Sequence, residues 1–279
     1  MTNSNSSEYK KRNIAIWDEV APRYHKRWAG TGNGPFQGTE KLVDMLHIDG
    51  KSWVLDVACG TGAVTRKLSE KVGDMGGIVG ADTSRTAIKI AKEWNGRKPN
   101  LHFVNADAEN LGFSVKFDVV TCQYALFFFP DAPKALMDMR GILRDDGLLG
   151  ISVHGKNTPF FSSMLDAITE FIPDYIPPGG PALDRYGTKH ALEEVVCSAG
   201  FRVIKVSDHT FEYSPGTLED YWEDHLRYVA RPLREKIDML KEADRGILKE
   251  KVRNNAKPYT KKDGTITFPW QVLILAAKN

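Results

Sequence analysis

Three acidic residues follow short apolar runs, and each is set for a different contact. Asp56 lies within Val54-Leu55-Asp56-Val57, and Ala58-Cys59-Gly60-Thr61-Gly62 comes next. Glycine admits positive φ and lets a ligand lie against the backbone. The helix expected after the glycines presents unpaired N–H groups to that ligand. A carboxylate beside donor N–H groups suits a zwitterion such as an amino acid. Asp82 closes the next apolar run, roughly 20 residues beyond the glycines, where a carboxylate is placed to accept from both hydroxyls of a ribose. Asp107 follows a third run, in Asn105-Ala106-Asp107-Ala108-Glu109-Asn110-Leu111. An Asp at that tip can accept from an adenine amino group, while the N–H of Ala108 donates to the ring.

The elements that must hold these residues can be read from periodicity. Glu8 to Trp28 reads as helix, with Ile14, Trp17, Val20, Ala21, Tyr24 and Trp28 at helical spacing. Pro22 lacks an N–H, which predicts two short helices or a kink there. Gly30 to Gly34 is a loop, and Thr39 to Leu46 a second helix. From Ser52 the chain alternates. Strands are expected over Ser52 to Val57, Ile78 to Ala81, Leu101 to Asn105, Phe117 to Cys122 and Leu148 to Val153, the last after a turn at Asp146-Gly147. Helices are expected over Ala63 to Val72, Arg85 to Trp94 (capped by Ser84) and Pro133 to Leu143. Such alternation implies βαβ units and a mostly parallel sheet. Ligands of such sheets sit at the carboxyl ends of the strands, which is where the three acids fall.

Beyond Val153 the pattern loosens. A helix Phe161 to Phe171, a proline-rich stretch Ile172 to Pro181, a helix Thr188 to Ala199 and a strand Phe201 to Phe211 are expected. A helical insertion Thr217 to Asn254 and a final strand Thr265 to Ala277 complete the chain. The expected organisation is one domain over 1–279. Its core covers about 48–155, 186–212 and 264–279, with an N-terminal cap at 8–47. Insertions at 156–185 and 213–257 are placed to shape a substrate pocket.

Asp56-(x)3-Gly60-Thr61-Gly62, Asp82 and Asp107-Ala108, in that order, resemble the class I S-adenosylmethionine (SAM)-dependent methyltransferases. Trp17 to Tyr24 resembles the opening helix of members of the ubiquinone/menaquinone-biosynthesis type. Phe117 to Gln123 is similar to the family's fourth strand, and Leu143 to Leu149 to its turn into the fifth. The resemblance implies a Rossmann-like, doubly wound α/β fold with a seven-stranded sheet, antiparallel in its last strand, plus helical caps. It implies SAM as cofactor and S-adenosylhomocysteine (SAH) as product. Gly60 and Gly62 would pass under the methionine part, with Asp56 near its amino group and Tyr24 covering it, and Ala58 would also contact the cofactor. Asp82 would hold the ribose, Asp107 and Ala108 the adenine. Gln123 and Tyr124 would lie beside the sulfonium. Ala63 stands where many members have a third glycine, and Asp145-Asp146 replaces Pro-Gly. Thr83 takes the place of the apolar residue that usually packs on the adenine.

The reaction so implied is in-line methyl transfer to a small, apolar or aromatic acceptor, with alignment and water exclusion supplied by the protein. Trp28, Phe127 and Phe128 are the candidate pocket residues. If the acceptor needs a base, His154 at the end of the fifth strand and His25 beside Tyr24 are best placed; an acceptor that arrives deprotonated needs none. Two other readings stand beside this one. A protein or peptide acceptor would use the mixed aromatic and charged stretch Leu218 to Leu248, which otherwise suits a lid or a homodimer contact. A nicotinamide-dependent oxidoreductase would need a third small residue where Thr65 stands.

Composition bounds the partners. Of 279 residues 42% are hydrophobic, enough for a full core. Lys and Arg number 38 against 36 Asp and Glu, a net +2 that gives no drive toward nucleic acid. The 3 Cys are scattered, which argues against a disulfide framework or a metal site, and no metal is expected. No apolar run approaches the ~20 residues of a membrane span. A cytoplasmic location is the expectation.

Overall fold

Apolar runs followed by amphipathic stretches build one seven-stranded sheet in the computed structural model, which describes residues 3–173, 183–228 and 231–279. The strands are β1 (Trp53–Val57), β2 (Gly77–Asp82), β3 (Leu101–Asn105), β4 (Phe117–Gln123), β5 (Leu143–His154), β6 (Arg202–Thr217) and β7 (Thr265–Lys278). Their order is β3-β2-β1-β4-β5-β7-β6. β1 pairs parallel with β2 and with β4, β2 with β3, and β4 with β5, whereas β7 runs antiparallel to β5. β1 has β2 on one side and β4 on the other, so strand order reverses there. That reversal opens a crevice at the carboxyl ends of the strands.

Helices flank the strands: α1 (Asn3–Tyr24), α2 (Thr39–Met45), α3 (Ala63–Leu68), α4 (Arg85–Asn95), α5 (Ala132–Ile142), α6 (Pro159–Phe171), α7 (Lys189–Ser198), α8 (Leu218–Tyr228), α9 (Arg231–Asp238) and α10 (Glu242–Ala256). Ser84, Asp131 and Thr188 cap α4, α5 and α7, each side chain accepting a backbone N–H of the first turn. Val54 and Ile78 from the sheet pack with Val64, Leu68, Ile88 and Phe103 in one apolar cluster. Burial on both faces is what a parallel sheet with helices on either side requires.

α3 ends at Leu68, short of the expected Val72, and three larger differences follow. α1 runs through Pro22 without a break. The missing donor costs one ladder bond, and the chain loosens only afterwards, in a π-helical turn over His25–Ala29. The expected turn at Asp146-Gly147 is absorbed into β5. Phe117 pairs with Leu143 and Val119 with Leu148, so residues 144–147 bulge from the strand. β6 continues to Thr217, six residues past Phe211, where the strand was expected to end.

The chain divides into two compact units. One comprises 1–156, 178–209 and 272–279; the other comprises 157–177 and 210–271. The second has a core of rings. Phe160 lies against Trp270 at 5.3 Å between centroids, and Tyr221 against Phe268 at 5.0 Å. The Tyr221 hydroxyl donates to the Phe160 carbonyl. The proline-rich stretch expected at Ile172 to Pro181 lies largely outside the described residues. Among the described residues no helix is long and apolar enough to cross a membrane.

Candidate active site

The first unit holds a cavity of about 370 Å³, lined by residues that follow β1, β2, β3 and β4 and by α1. Pockets for small organic ligands start near this size. Two lining residues mark it as more than a packing gap. Ala58 and Tyr124, directly after β1 and β4, hold φ of 54° and 53°. A side chain rarely adopts this conformation, and such strain concentrates at functional sites. The Tyr124 N–H donates to the Ser152 carbonyl on β5 at 2.8 Å, which fixes the turn.

The two glycines of the loop serve different ends. Gly60 has φ +54° and open space where a Cβ would stand, and it lines the cavity. Gly62 has φ +86°, and a Cβ there would meet Asn95 Nδ2 at 2.7 Å and both Ala91 Cβ and Phe103 Cε1 at 3.2 Å. Gly62 is therefore a packing glycine that lets α3 start against α4 and β3, and it is not among the lining residues. Gly60 is the position where a ligand can approach the backbone.

Each acidic residue is tied down by its own set of donors. Asp56 is 1% exposed and accepts from the hydroxyls of Thr65 (2.6 Å) and Thr121 (2.9 Å). Burial pushes its carboxyl up to about 6, against the pull of those hydroxyls. Asp82 accepts the N–H of Gly60 on one oxygen and that of Ser84 on the other, each at 2.8 Å. Burial raises this carboxyl too, while the two N–H groups oppose the rise. Asp107 accepts the Glu109 N–H at 2.9 Å and the Lys10 ammonium at 2.8 Å. Lys10 also reaches Glu109 Oε2 at 2.7 Å. Burial lowers the Lys10 pKa, but hydrogen bonds and charge from the two carboxylates outweigh it and hold the ammonium above its ordinary value.

Of the predicted positions, the cavity brings together Tyr24, Asp56, Ala58, Gly60, Asp82 and Thr83, with Asp107, Ala108, Gln123, Tyr124 and Phe128. It does not include Gly62, Trp28, Phe127, His25 or His154. His25 Nδ1 is 2.9 Å from Thr61 Oγ1, and its ring meets Trp94 edge-on at 4.8 Å. His154 is 6% exposed, with its ring 4.5 Å from that of Tyr124 and 5.3 Å from that of Phe127. Burial pushes its pKa down to about 3, so it stays neutral at ordinary pH. Trp28 packs edge-on against Tyr24 at 5.1 Å. Burial alone raises the Tyr24 phenol, which stays protonated.

Residues 54–147 match the family described as a methyltransferase domain. The chain is 28% identical over 221 residues to a demethylmenaquinone methyltransferase of Staphylococcus haemolyticus, covering 74% of this chain and 85% of that one. Its domain and its relatives make the chain a SAM-dependent methyltransferase. A 2-phytyl-1,4-naphtoquinone methyltransferase of Thermosynechococcus vestitus is 30% identical to this methyltransferase over 139 residues, 49% of this chain and 62% of that one. In fold it is similar to a Bacillus halodurans protein provisionally assigned as a methyltransferase, with a TM-score of 0.59 and 18% identity, covering 87% and 98% of the two chains.

The residues present fit SAM. A glycine with free space faces the cavity, a carboxylate closes β2, and strained turns after β1 and β4 expose backbone on either side of the switch point. Sequence reasoning did not single out Lys10 or Asn13, which also line the cavity. Nothing in their local spacing marks them, because α1 reaches the site from a distant part of the chain. Asp18 is similar. It accepts from Ser84 Oγ (2.6 Å) and the Thr86 N–H (3.0 Å), joining α1 to the start of α4.

Proposed function

We propose that this methyltransferase methylates an aromatic ring acceptor of the hydroquinone type carrying an apolar side chain. The observation that carries the reading is the company the cofactor loops keep. Tyr24, Phe36, Tyr124, Phe128 and Phe129 line the same cavity as Gly60 and Asp82. Rings of this kind bind a flat apolar acceptor by area and edge-to-face contact. Two relatives whose names state a naphthoquinone or menaquinone precursor as acceptor support the class.

When bound, SAM supplies a methyl group on a positive sulfur. The chain's residues align and exclude water. Asp82 presents a carboxylate held by two N–H groups, so its lone pairs are already oriented when a ribose arrives. Tyr24 is itself wedged between Trp17, Trp28 and Phe36, with centroids at 5.4, 5.1 and 5.8 Å, which fixes its ring over the cavity. Neither predicted histidine lines the cavity, and His154 is a weak base. The acceptor's own acidity then sets the proton step, as for a hydroquinol whose hydroxyl ionises readily.

The test is methyl transfer from SAM to a prenylated naphthohydroquinol, a simple catechol and a peptide pool, followed by mass spectrometry. A methylated ring product from the prenylated acceptor, with far slower transfer to the others, is expected. Methylation of the peptides alone would overturn the proposal.

A further inference from the structure

α1 crosses the carboxyl ends of three strands and is fastened at each. Lys10 reaches the loop after β3 through Asp107 (2.8 Å) and Glu109 (2.7 Å). Asp18 reaches the loop after β2 through Ser84 (2.6 Å). His25, one residue beyond the helix, reaches the loop after β1 through Thr61 (2.9 Å). The stretch between Lys10 and Asp18 therefore lies against the gap between the ends of β3 and β2. Asn13, Ile14 and Trp17 from this stretch line the cavity. With a ribose at the β2 carboxylate, an attached base extends toward β3.

Hydrogen-bond bookkeeping in this gap separates two acceptors. Asp107 has a donor on each oxygen, the Glu109 N–H on one and Lys10 on the other. Asn13 is 8% exposed, and its Oδ1 is buried with no partner among the described residues. A buried amide oxygen without a donor costs about 1–3 kcal/mol, so it calls for an explanation. Asn13 stands one helical turn from Lys10, on a face that meets the cavity.

We propose that Asn13 Oδ1 accepts a hydrogen bond from the exocyclic amine of the SAM adenine, the role expected of Asp107, while Asp107 serves as the post to which Lys10 fastens α1. The proposal rests on the SAM reading. It makes α1 part of the base reader, so the helix that covers the cofactor also selects for the amine.

The experiment is isothermal titration of the purified full chain with SAH and with its analogue bearing purine in place of adenine, which lacks only the amine. Wild type is expected to favour SAH by about 10-fold, the worth of one hydrogen bond of ordinary to good strength. Asn13→Ala should bind both ligands alike. Asn13→Asp, which retains an acceptor, should keep the preference. Asp107→Asn should weaken both ligands together and keep the ratio. Alanine is a good helix former, so Asn13→Ala should fold, and a thermal melt checks this. An undiminished preference in Asn13→Ala would overturn the proposal, as would its disappearance in Asp107→Asn alone or its absence in wild type. Binding of neither ligand by wild type would instead sink the SAM reading on which it stands.

Discussion

Two sets of side chains line one cavity and are built on opposite principles. The set after β1, β2 and β3 is charged. Asp56, Asp82 and Asp107 each have named donors within 2.9 Å. The second set is the rings contributed by α1 and by the loop after β4, among them Trp17, Tyr24, Tyr124 and Phe128. Trp17 and Phe128 meet edge-on at 5.4 Å, and His154 lies behind Tyr124 at 4.5 Å. The charged set recognises polar hydrogens in fixed directions, which demands preorganised lone pairs. The aromatic set recognises shape and apolar area, which many arrangements satisfy. We infer that the charged set meets the polar groups of the cofactor, that the α1 rings cover it, and that the rings after β4 form the acceptor side.

Mutations should separate the two. The largest effect is expected from Gly62→Ala, which forces a side chain into a left-handed conformation and into Asn95, Ala91 and Phe103. Those costs of roughly 1–2 and 1–3 kcal/mol predict a loss of about 3 kcal/mol or more in a denaturant melt. Gly60→Ala meets the same left-handed strain but open space at Cβ, so it should cost only about 1–2 kcal/mol yet still weaken SAH binding. Equal destabilisation by the two would contradict their assigned roles.

Next in size is a pair of opposing pH effects. Burial raises Asp56 from 3.8 to about 6, so the folded chain holds that proton more tightly. The stability it contributes is present below pH 3.8 and falls as pH rises to about 6, by up to about 3 kcal/mol. His154 is lowered from 6.5 to about 3, so the unfolded chain binds the proton more tightly and stability rises with pH over that window. Asp56→Asn should therefore make the melting temperature climb more steeply between pH 4 and 6. His154→Phe should turn the same interval downward. Unchanged pH profiles in both variants would show that neither group is buried as charged or neutral in the way described.

Asp82→Ala removes the acceptor of two buried N–H groups and the ribose partner. About 100-fold weaker SAH binding is expected, the worth of one to two hydrogen bonds to a charged group. The smallest effect is expected from Phe128→Ala. It should raise the acceptor KM several-fold and leave the SAH Kd near wild type, because a ring at the aromatic side binds by area alone. A changed SAH Kd with an unchanged acceptor KM would merge the two sets.

The charged set was legible in the sequence because its signal is local. Asp56, Gly60 and Gly62 fall within one strand-to-helix turn, and Asp82 and Asp107 close the next two strands. The parallel part of the sheet followed from the same alternation, and the antiparallel β7 from the family resemblance. The aromatic set was only partly legible. Three phenylalanines in a row cannot say which of them face a cavity; Phe128 and Phe129 do, while Phe127 packs toward His154. Gly62 was read as a ligand glycine because a positive φ has the same sequence signature whether ligand or helix requires it. Lys10 and Asn13 were missed for a topological reason, since α1 reaches loops some 100 residues further along the chain, on the scale of the separation of Lys10 from Asp107. His25 and His154 were placed by their nearness to Tyr24 and to a strand end, which does not fix the direction in which a ring points.

The most direct test of the central claim is calorimetric titration of wild type and Asp82→Ala with SAH and with NAD. The account predicts one SAH bound per wild-type chain, binding largely lost in the variant, and no heat with NAD. Saturable binding of NAD without SAH, or SAH binding indifferent to Asp82, would contradict it.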